Sequence, residues 1–191
     1  MTALELVAVA ISFLAIWLTA RRNMLCWRLN LVACALYFKL FLDVRLYADM
    51  MLQAMFGIGI LYGWIVWLRH REGEAPVEVA RLSRRHAAIG LGAGAAGALC
   101  IGWFTSHHTD ASLPWIDAAL SSFSLVAQYW TARRHRENWL LWIVVDIVYV
   151  GMFLFKGLVP TAGLYAVMIG LAAIGYRDWR PTARGSSISQ A

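Results

Sequence analysis

The sequence predicts an all-α membrane protein with seven transmembrane helices in a 3+1+3 parallel repeat: three helices, one connecting helix and three more. Three observations lead to this fold class: the hydropathy of the chain, the distribution of its basic residues and an internal repeat. Of its 191 residues, 61% are hydrophobic, which is more apolar than a soluble domain of this size. Apolar windows of about 20 residues, long enough to cross the ~30 Å hydrocarbon core, fall at 4–20, 24–44, 47–68, 87–105, 113–132, 138–156 and 159–177.

The first window begins Met-Thr-Ala-Leu-Glu, and we interpret it as a transmembrane helix. A secretory signal peptide starts with a basic segment and ends at a small-residue cleavage site, and neither feature stands out here. The seven windows leave almost nothing for a soluble domain. We therefore expect a single transmembrane domain over residues 1–191.

Basic residues are concentrated on one side of the predicted membrane. Of the 17 Lys and Arg residues, 14 follow the odd-numbered windows, and only Lys39, Arg45 and Lys156 lie toward the other side. Because basic loops stay in the cytoplasm, this pattern predicts an outside N-terminus, a cytoplasmic C-terminus and an odd number of spans. The placement also accounts for the net charge of +6 without a nucleic-acid partner.

The chain repeats itself at a fixed offset, at which Thr19-Ala20-Arg21-Arg22 matches Thr131-Ala132-Arg133-Arg134 without gaps. We interpret residues 4–68 and 113–180 as duplicated three-helix units, parallel about an axis along the membrane normal, with 87–105 as the linker helix. The same offset pairs Glu5 with Asp117, Ser12 with Ser124, Ala15 with Ala127, Trp27 with Trp139, Tyr37 with Tyr149, Phe41 with Phe153, Gly63 with Gly175 and Trp67 with Trp179.

The linker window carries five glycines among alanines, which suits close helix packing rather than a substrate site. These glycines have no following Lys-Ser/Thr, so no phosphate-binding loop is predicted, and we expect neither an enzyme nor a cofactor. The three cysteines lack metal-ligand spacing. We also expect no metal site at His107 and His108, which we interpret as solvated loop residues.

One face of the window 138–156 is the strongest candidate for a ligand site. Trp139, Trp142, Asp146 and Tyr149 recur at spacings of three, four and three, which places them on one side of a helix. A carboxylate at mid-membrane is costly and must face protein or water. The aromatic rings suit a planar ligand, and they favour positive charge as Asp146 does. The alternative is a belt of interfacial tryptophans with Asp146 as a helix-packing group.

Further candidates come from the repeat and from polar side chains inside apolar windows. Gln53 corresponds to Tyr165, and an amide within hydrocarbon must find a hydrogen-bond partner. Glu5 and Asp117, near the outer ends of their helices, are gate or packing groups, and the sequence does not choose between these roles. The remaining candidate ligand-binding residues are Asn30, Tyr37, Tyr62, Trp64 and Gln128.

The chain resembles the PnuC-type nicotinamide riboside (nicotinamide mononucleotide) transporter family. The motifs that carry the likeness are Tyr62-Gly63-Trp64-x-x-Trp67, Glu137-x-Trp139-x-x-Trp142 and the segment from Gly175 to Trp179. The resemblance implies a bacterial inner-membrane vitamin transporter with SWEET-like architecture. It also implies facilitated diffusion, a trimeric assembly and trapping of the vitamin by a separate cytoplasmic kinase. In this family the Trp-x-x-Trp helix lines the substrate site, which implies that role for Trp139 and Trp142.

Two positions depart from the family pattern, because Asp146 and Ile60 stand where members often carry asparagine. The pyridinium of nicotinamide riboside and the thiazolium of thiamine are both cations that a carboxylate would favour. We therefore expect uptake of a cationic aromatic vitamin, first nicotinamide riboside, with a thiamine transporter of the same family as the alternative. A membrane scaffold that has kept the fold without transport is the second alternative.

Overall fold

Seven α-helices make up the computed structural model, which describes residues 3–43, 47–70, 78–109, 113–155, 157 and 159–180. Within these ranges there is no strand, only an isolated bridge between Ala80 and His135. Each helix coincides with one predicted window, which confirms the all-α fold of seven helices. The helices are α1 (Ala3–Ala20), α2 (Leu25–Asp43), α3 (Tyr47–Arg69), α4 (Arg84–His108), α5 (Pro114–Ala132), α6 (Asn138–Phe155) and α7 (Val159–Asp178).

The linker helix α4 extends further at both ends than its apolar window. Ser83 caps its start, where its side chain accepts a hydrogen bond from the backbone N–H of His86. At the other end, His107 and His108 belong to the last turn rather than to a loop, so that detail of the sequence interpretation is corrected. Their Nδ1 atoms lie 2.8 and 3.0 Å from the carbonyl oxygens of Trp103 and Phe104. Polar residues are tolerated in terminal turns because these turns can leave the hydrocarbon.

Three of the described helices are long and apolar enough to cross a membrane by composition alone: Met50–Arg69, Arg84–His108 and Asn138–Phe155. A shorter apolar stretch, Val7–Ala20, lies in α1. Polar side chains lower the mean hydropathy of α2 and α5, because α2 carries Arg28, Asn30 and Lys39 while α5 carries three serines and a glutamine. Several of these side chains line an interior cavity, so they do not require contact with lipid.

Helix packing follows the two three-helix units and joins them at two places. Within the units, α1 packs on α2, α2 on α3, α5 on α6 and α6 on α7; between them, α3 packs on α5 and α1 on α7. In the repeat, α1 is equivalent to α5 and α3 is equivalent to α7. The contact of α3 with α5 is therefore equivalent to the contact of α7 with α1. Helix α4 packs along α5, where a Cβ at Gly94 would lie 2.7 Å from the Phe123 ring.

Four buried tryptophans join the units at one end of the bundle. Trp27, Trp67, Trp139 and Trp179, here called the tryptophan cluster, are each at most 3% exposed. The ring centroids of Trp67 and Trp179 lie 5.8 Å apart. Trp67 also contacts Trp27 at the start of α2, and Trp179 contacts Trp139 at the start of α6. Helices α1, α3, α5 and α7 all end here, among Arg21, Arg22, Arg69, Arg133, Arg134, Arg136 and Arg177. We call this the arginine-rich end.

Two tryptophans of the cluster rest on glycines that are equivalent in the repeat. Trp27 covers Gly63, and Trp139 covers Gly175, where an added Cβ would lie 2.5 Å from the indole. Trp27 and Trp139 are themselves a repeat pair, and neither indole N–H has a hydrogen-bond partner among the described residues. Both indoles are therefore held by close packing of the ring against the backbone of a glycine.

Gly175→Ala is expected to destabilise the protein by about 1–3 kcal/mol, since the added methyl group overlaps a rigid, fully packed indole. Thermal unfolding in detergent, followed by near-UV circular dichroism, measures the effect. Gly170→Ala is the matched control on the same helix, because nothing lies within 4 Å of a Cβ there. This control should be neutral or stabilising, as alanine favours helix over glycine. Equal melting temperatures for the two variants would contradict the packing assigned to Trp139.

Candidate functional site

A cavity of about 990 Å³ lies between the two three-helix units and is the candidate site. It extends from Trp27 and Trp139 of the tryptophan cluster to Thr109, Pro114 and Asp117 at the opposite end. All seven helices contribute lining residues. Its volume is at the upper end of the range for small-molecule sites. We refer to it as the central cavity.

Asp146 stands on the wall of the central cavity that α6 provides. The residue is 5% exposed and lines the cavity. In the described part of the chain, no group donates a hydrogen bond to its carboxylate and no basic side chain pairs with it. Burying an unpaired carboxylate is costly. The position is therefore suited to a ligand that carries a positive charge or a hydrogen-bond donor.

Aromatic rings surround this carboxylate. The ring centroids of Tyr149 and Tyr165 are 4.6 Å apart, and Phe153 lies 5.2 Å from Tyr165. Trp142 adds an indole one helical turn from Asp146. Such rings present large apolar faces to a planar ligand, and their quadrupoles attract cations. This wall thus combines stacking surfaces with one negative charge.

The remaining walls of the cavity are more polar. Helix α5 turns a stripe of polar side chains to the cavity at spacings of four, three, four and three: Asp117, Ser121, Ser124, Gln128 and Thr131. Helices α1, α2 and α3 add Ser12, Asn30, Tyr37 and Gln53. Cys34 occupies the position equivalent to Asp146, and its thiol donates a 2.9 Å hydrogen bond to the Gln53 carbonyl. Amides and hydroxyls here are suited to the hydroxyl groups of a ligand.

The turn between α5 and α6 fixes the start of the ligand-facing helix. Asn138 is fully buried; its Nδ2 donates to the His135 carbonyl at 2.5 Å, and its Oδ1 accepts from the Thr131 hydroxyl at 3.0 Å. Ala80, from the segment before α4, donates its N–H to the Arg134 carbonyl at 2.9 Å. Burial lowers the pKa of the His135 imidazole and of the Arg134 guanidinium. The lowered pKa favours the neutral imidazole of His135, the form that packs more readily in this turn.

Ten of the thirteen residues that the sequence singles out line the central cavity. Trp142 and Trp139 differ in their setting: the Trp142 Nε1 donates a 3.4 Å hydrogen bond to the Thr131 hydroxyl, whereas Trp139 is 3% exposed within the tryptophan cluster. The ten are Asn30, Tyr37, Gln53, Asp117, Gln128, Trp139, Trp142, Asp146, Tyr149 and Tyr165.

Two of the thirteen, Tyr62 and Trp64, are not brought to the cavity. Tyr62 stacks on Tyr129 with centroids 6.1 Å apart, and Trp64 lies under the Arg28 guanidinium at 5.7 Å. Both are on α3, whose cavity-lining residues run from Met51 to Ile60, so they lie beyond the part of the helix that borders the cavity. They therefore leave the candidate set. The side chain of Glu5 lies outside the described residues.

Sequence reasoning missed part of the lining. Ser12 and Ser124 were recognised as a repeat pair but not as cavity residues, and Ser121 and Thr131 were not singled out as ligand candidates. A signal was present for the residues of α5, because polar side chains recur along one face of an otherwise apolar window. For apolar members such as Phe56 and Met152, nothing in the sequence separates the cavity wall from ordinary core.

Seven apolar helices around one large aromatic and polar cavity form a multi-pass membrane protein with an internal site for a small molecule. The family model for the nicotinamide mononucleotide transporter matches residues 2–181. The chain therefore belongs to the nicotinamide mononucleotide transporter family. This confirms the resemblance and the transporter class that the sequence motifs indicate, and it sets the scaffold alternative aside.

Individual relatives agree with this assignment. The nicotinamide riboside transporter PnuC of Escherichia coli (strain K12) is 24% identical, over 95% of this chain and 86% of that protein. The riboflavin/roseoflavin transporter RibM of Streptomyces davaonensis is 31% identical, over 71% of this chain and 65% of that protein. The crystal structure of the vitamin B3 transporter PnuC superimposes with a TM-score of 0.75 and 26% identity, covering 92% of this chain and 80% of that one.

Proposed function

We propose that this protein takes up nicotinamide riboside by facilitated diffusion, with the ligand bound in the central cavity and its pyridinium ring beside Asp146. The observation that carries the proposal is the buried carboxylate of Asp146, which has no partner among the described residues and faces an aromatic-lined cavity. A pyridinium ion supplies the missing positive charge and a flat ring in one group.

The two walls of the cavity fit the two halves of this ligand. Trp142, Tyr149 and Tyr165 offer ring faces for the pyridinium, while Gln53, Gln128 and the hydroxyls of α5 offer hydrogen bonds to ribose and carboxamide. The relatives named for nicotinamide riboside and vitamin B3 transport support this choice. With about 990 Å³, the cavity also accommodates the water that a sugar retains on binding.

The direction of uptake is part of the proposal. By the positive-inside rule we place the arginine-rich end in the cytoplasm and the N-terminus outside. A location in a bacterial inner membrane is proposed from the family resemblance. The vitamin is then released into the cytoplasm at the arginine-rich end. A separate cytoplasmic kinase phosphorylates it there and so prevents its return. Trimeric assembly is a further expectation that rests on family resemblance.

Two other vitamins are second candidates, each with a specific observation behind it. Asp146 favours the thiazolium of thiamine on the same grounds of charge as it favours a pyridinium. Riboflavin is favoured by the 31% identity to a riboflavin/roseoflavin transporter, but its neutral ring system would leave the Asp146 carboxylate without a counter-charge. Charge therefore separates riboflavin from the first two candidates, and size and hydrogen bonding separate nicotinamide riboside from thiamine.

Counterflow in proteoliposomes tests the proposal. Vesicles loaded with unlabelled nicotinamide riboside should accumulate the labelled compound transiently, and vesicles loaded with thiamine or riboflavin should drive little accumulation of it. Labelled thiamine and riboflavin are exchanged in parallel. Faster exchange of thiamine or riboflavin would assign the protein to that vitamin. Absence of all three exchanges, with helical content intact by circular dichroism, would contradict transport of these vitamins.

A further inference from the structure

The tryptophan cluster closes the central cavity at the arginine-rich end through two reciprocal contacts. Trp67 of the first unit donates its indole N–H to the carbonyl of Thr131 in the second unit at 3.2 Å. Trp179 of the second unit donates to the carbonyls of Thr19 and Ala20 in the first, at 3.2 and 3.0 Å. Each unit thus holds the other at the level where the cavity ends, and both contacts must break for the cavity to open there.

Thr131 connects this closure to the cavity wall. Its carbonyl accepts from Trp67, while its hydroxyl accepts a 3.4 Å hydrogen bond from Trp142 Nε1. The same hydroxyl lies 2.9 and 3.0 Å from Ala127 O and Asn138 Oδ1, which share its single proton. One residue therefore contacts both a cavity-lining indole and a tryptophan of the closed end.

The equivalent residue of the first unit lacks this connection. Thr19 accepts from Trp179 through its carbonyl, and its hydroxyl donates to Ala15 O at 2.8 Å. The position equivalent to Trp142 is Asn30, which has no indole to reach the Thr19 hydroxyl. The two contacts are therefore alike in that a tryptophan indole bonds a threonine carbonyl. They differ in the cavity-lining side chain, which is Trp142 in the second unit and Asn30 in the first.

We propose that Thr131 is a positioning residue for transport, which couples the orientation of Trp142 in the central cavity to the Trp67 contact that keeps the arginine-rich end closed. A ligand that moves the Trp142 ring shifts the Thr131 hydroxyl and, through the last turn of α5, the carbonyl that Trp67 holds. The coupling rests on the proposed transport through the cavity, while the closure itself is a property of the protein without ligand.

Substitutions at Thr131 test the coupling by counterflow at saturating nicotinamide riboside. Thr131→Val keeps the shape and removes the hydroxyl, so exchange should slow by about five-fold, the usual worth of one hydrogen bond. Thr131→Ser should restore most of the rate. Ser122→Ala is the matched control on α5. It removes a buried hydroxyl that donates a 2.8 Å hydrogen bond to Gly94 O and does not line the cavity. The coupling would be overturned if Thr131→Val exchanged at the normal rate or if Thr131→Ser did not recover the rate. Equal slowing in the Ser122→Ala control would overturn it as well.

Thiol labelling tests the closure without any substrate, so its outcome is independent of which vitamin is transported. In a Cys26→Ala/Cys100→Ala background, Cys34 is the remaining thiol and lines the cavity. A membrane-impermeant reagent applied at the arginine-rich end should label Cys34 several-fold faster in Trp67→Phe, which keeps a ring but loses the indole N–H. Trp179→Phe should act likewise, and Trp64→Phe, outside the cluster on α3, should not. Unchanged labelling in both cluster variants would overturn the closure.

Discussion

Replacing Asp146 with asparagine is expected to weaken the binding of nicotinamide riboside by about 2–3 kcal/mol, which is roughly 30- to 150-fold in the dissociation constant. The reason is that the buried carboxylate provides the counter-charge for the pyridinium, and the isosteric amide removes the charge while it keeps the shape. The change is measured by titration calorimetry or tryptophan fluorescence of the purified protein in detergent.

The charge of the ligand provides the control for this prediction. Dihydronicotinamide riboside is the reduced, uncharged form of the same molecule, so the Asp146→Asn variant should bind it almost as well as the unaltered protein does. Asp117→Asn serves as a second control, because this acid lies at the far end of the cavity and its removal should cost less. Equal losses for the charged and neutral ligands would assign Asp146 to helix packing.

Trp142→Ala is expected to reduce affinity by on the order of 1–3 kcal/mol, the range found when an aromatic ring that stacks on a base is truncated. The cavity wall loses the indole next to Asp146, and no other ring in the described part of α6 occupies that turn. Calorimetry is the appropriate measurement, because the substitution also removes a fluorescent reporter.

Two further variants decide whether stacking is the cause. Trp142→Phe keeps a smaller ring without the hydrogen bond to Thr131, so its affinity should fall between those of the unaltered and alanine proteins. Trp64→Ala removes an indole that packs outside the cavity beside Arg28, and its affinity should be unchanged. Normal affinity in Trp142→Ala would assign this indole to packing instead.

Local patterns were sufficient to predict the helices. Each span is set by the thickness of the hydrocarbon core, so its position follows from hydropathy. The ends of α4 could not be placed in the same way, because Ser83 caps a turn of charged residues and the histidines at the far end continue the helix. Capping and terminal turns depend on hydrogen bonds that the apolar period does not report.

The candidate site was predicted where one helix face carried it. The spacing of Trp139, Trp142, Asp146 and Tyr149 placed all four at the cavity, because helical phase alone decides which side chains share a side. The family motif was a weaker guide, since Tyr62 and Trp64 belong to it but lie beyond the last α3 residue that lines the cavity, Ile60.

Contacts between the units could not be read from the chain. The repeat pairs Trp67 with Trp179, but it does not say that each indole reaches a carbonyl of the other unit. That exchange depends on how the units are docked. The proposed coupling role of Thr131 could not be predicted for the same reason. A threonine at the end of an apolar window is common and gives no sign of such a role.

The most direct test of the central claim is an experimental structure of the protein with nicotinamide riboside bound. The account predicts the ligand in the central cavity, with its pyridinium nitrogen within about 4–6 Å of the Asp146 carboxylate and its ring against Trp142. A pyridinium ring bound away from Asp146, or a ligand bound outside the central cavity, would contradict it.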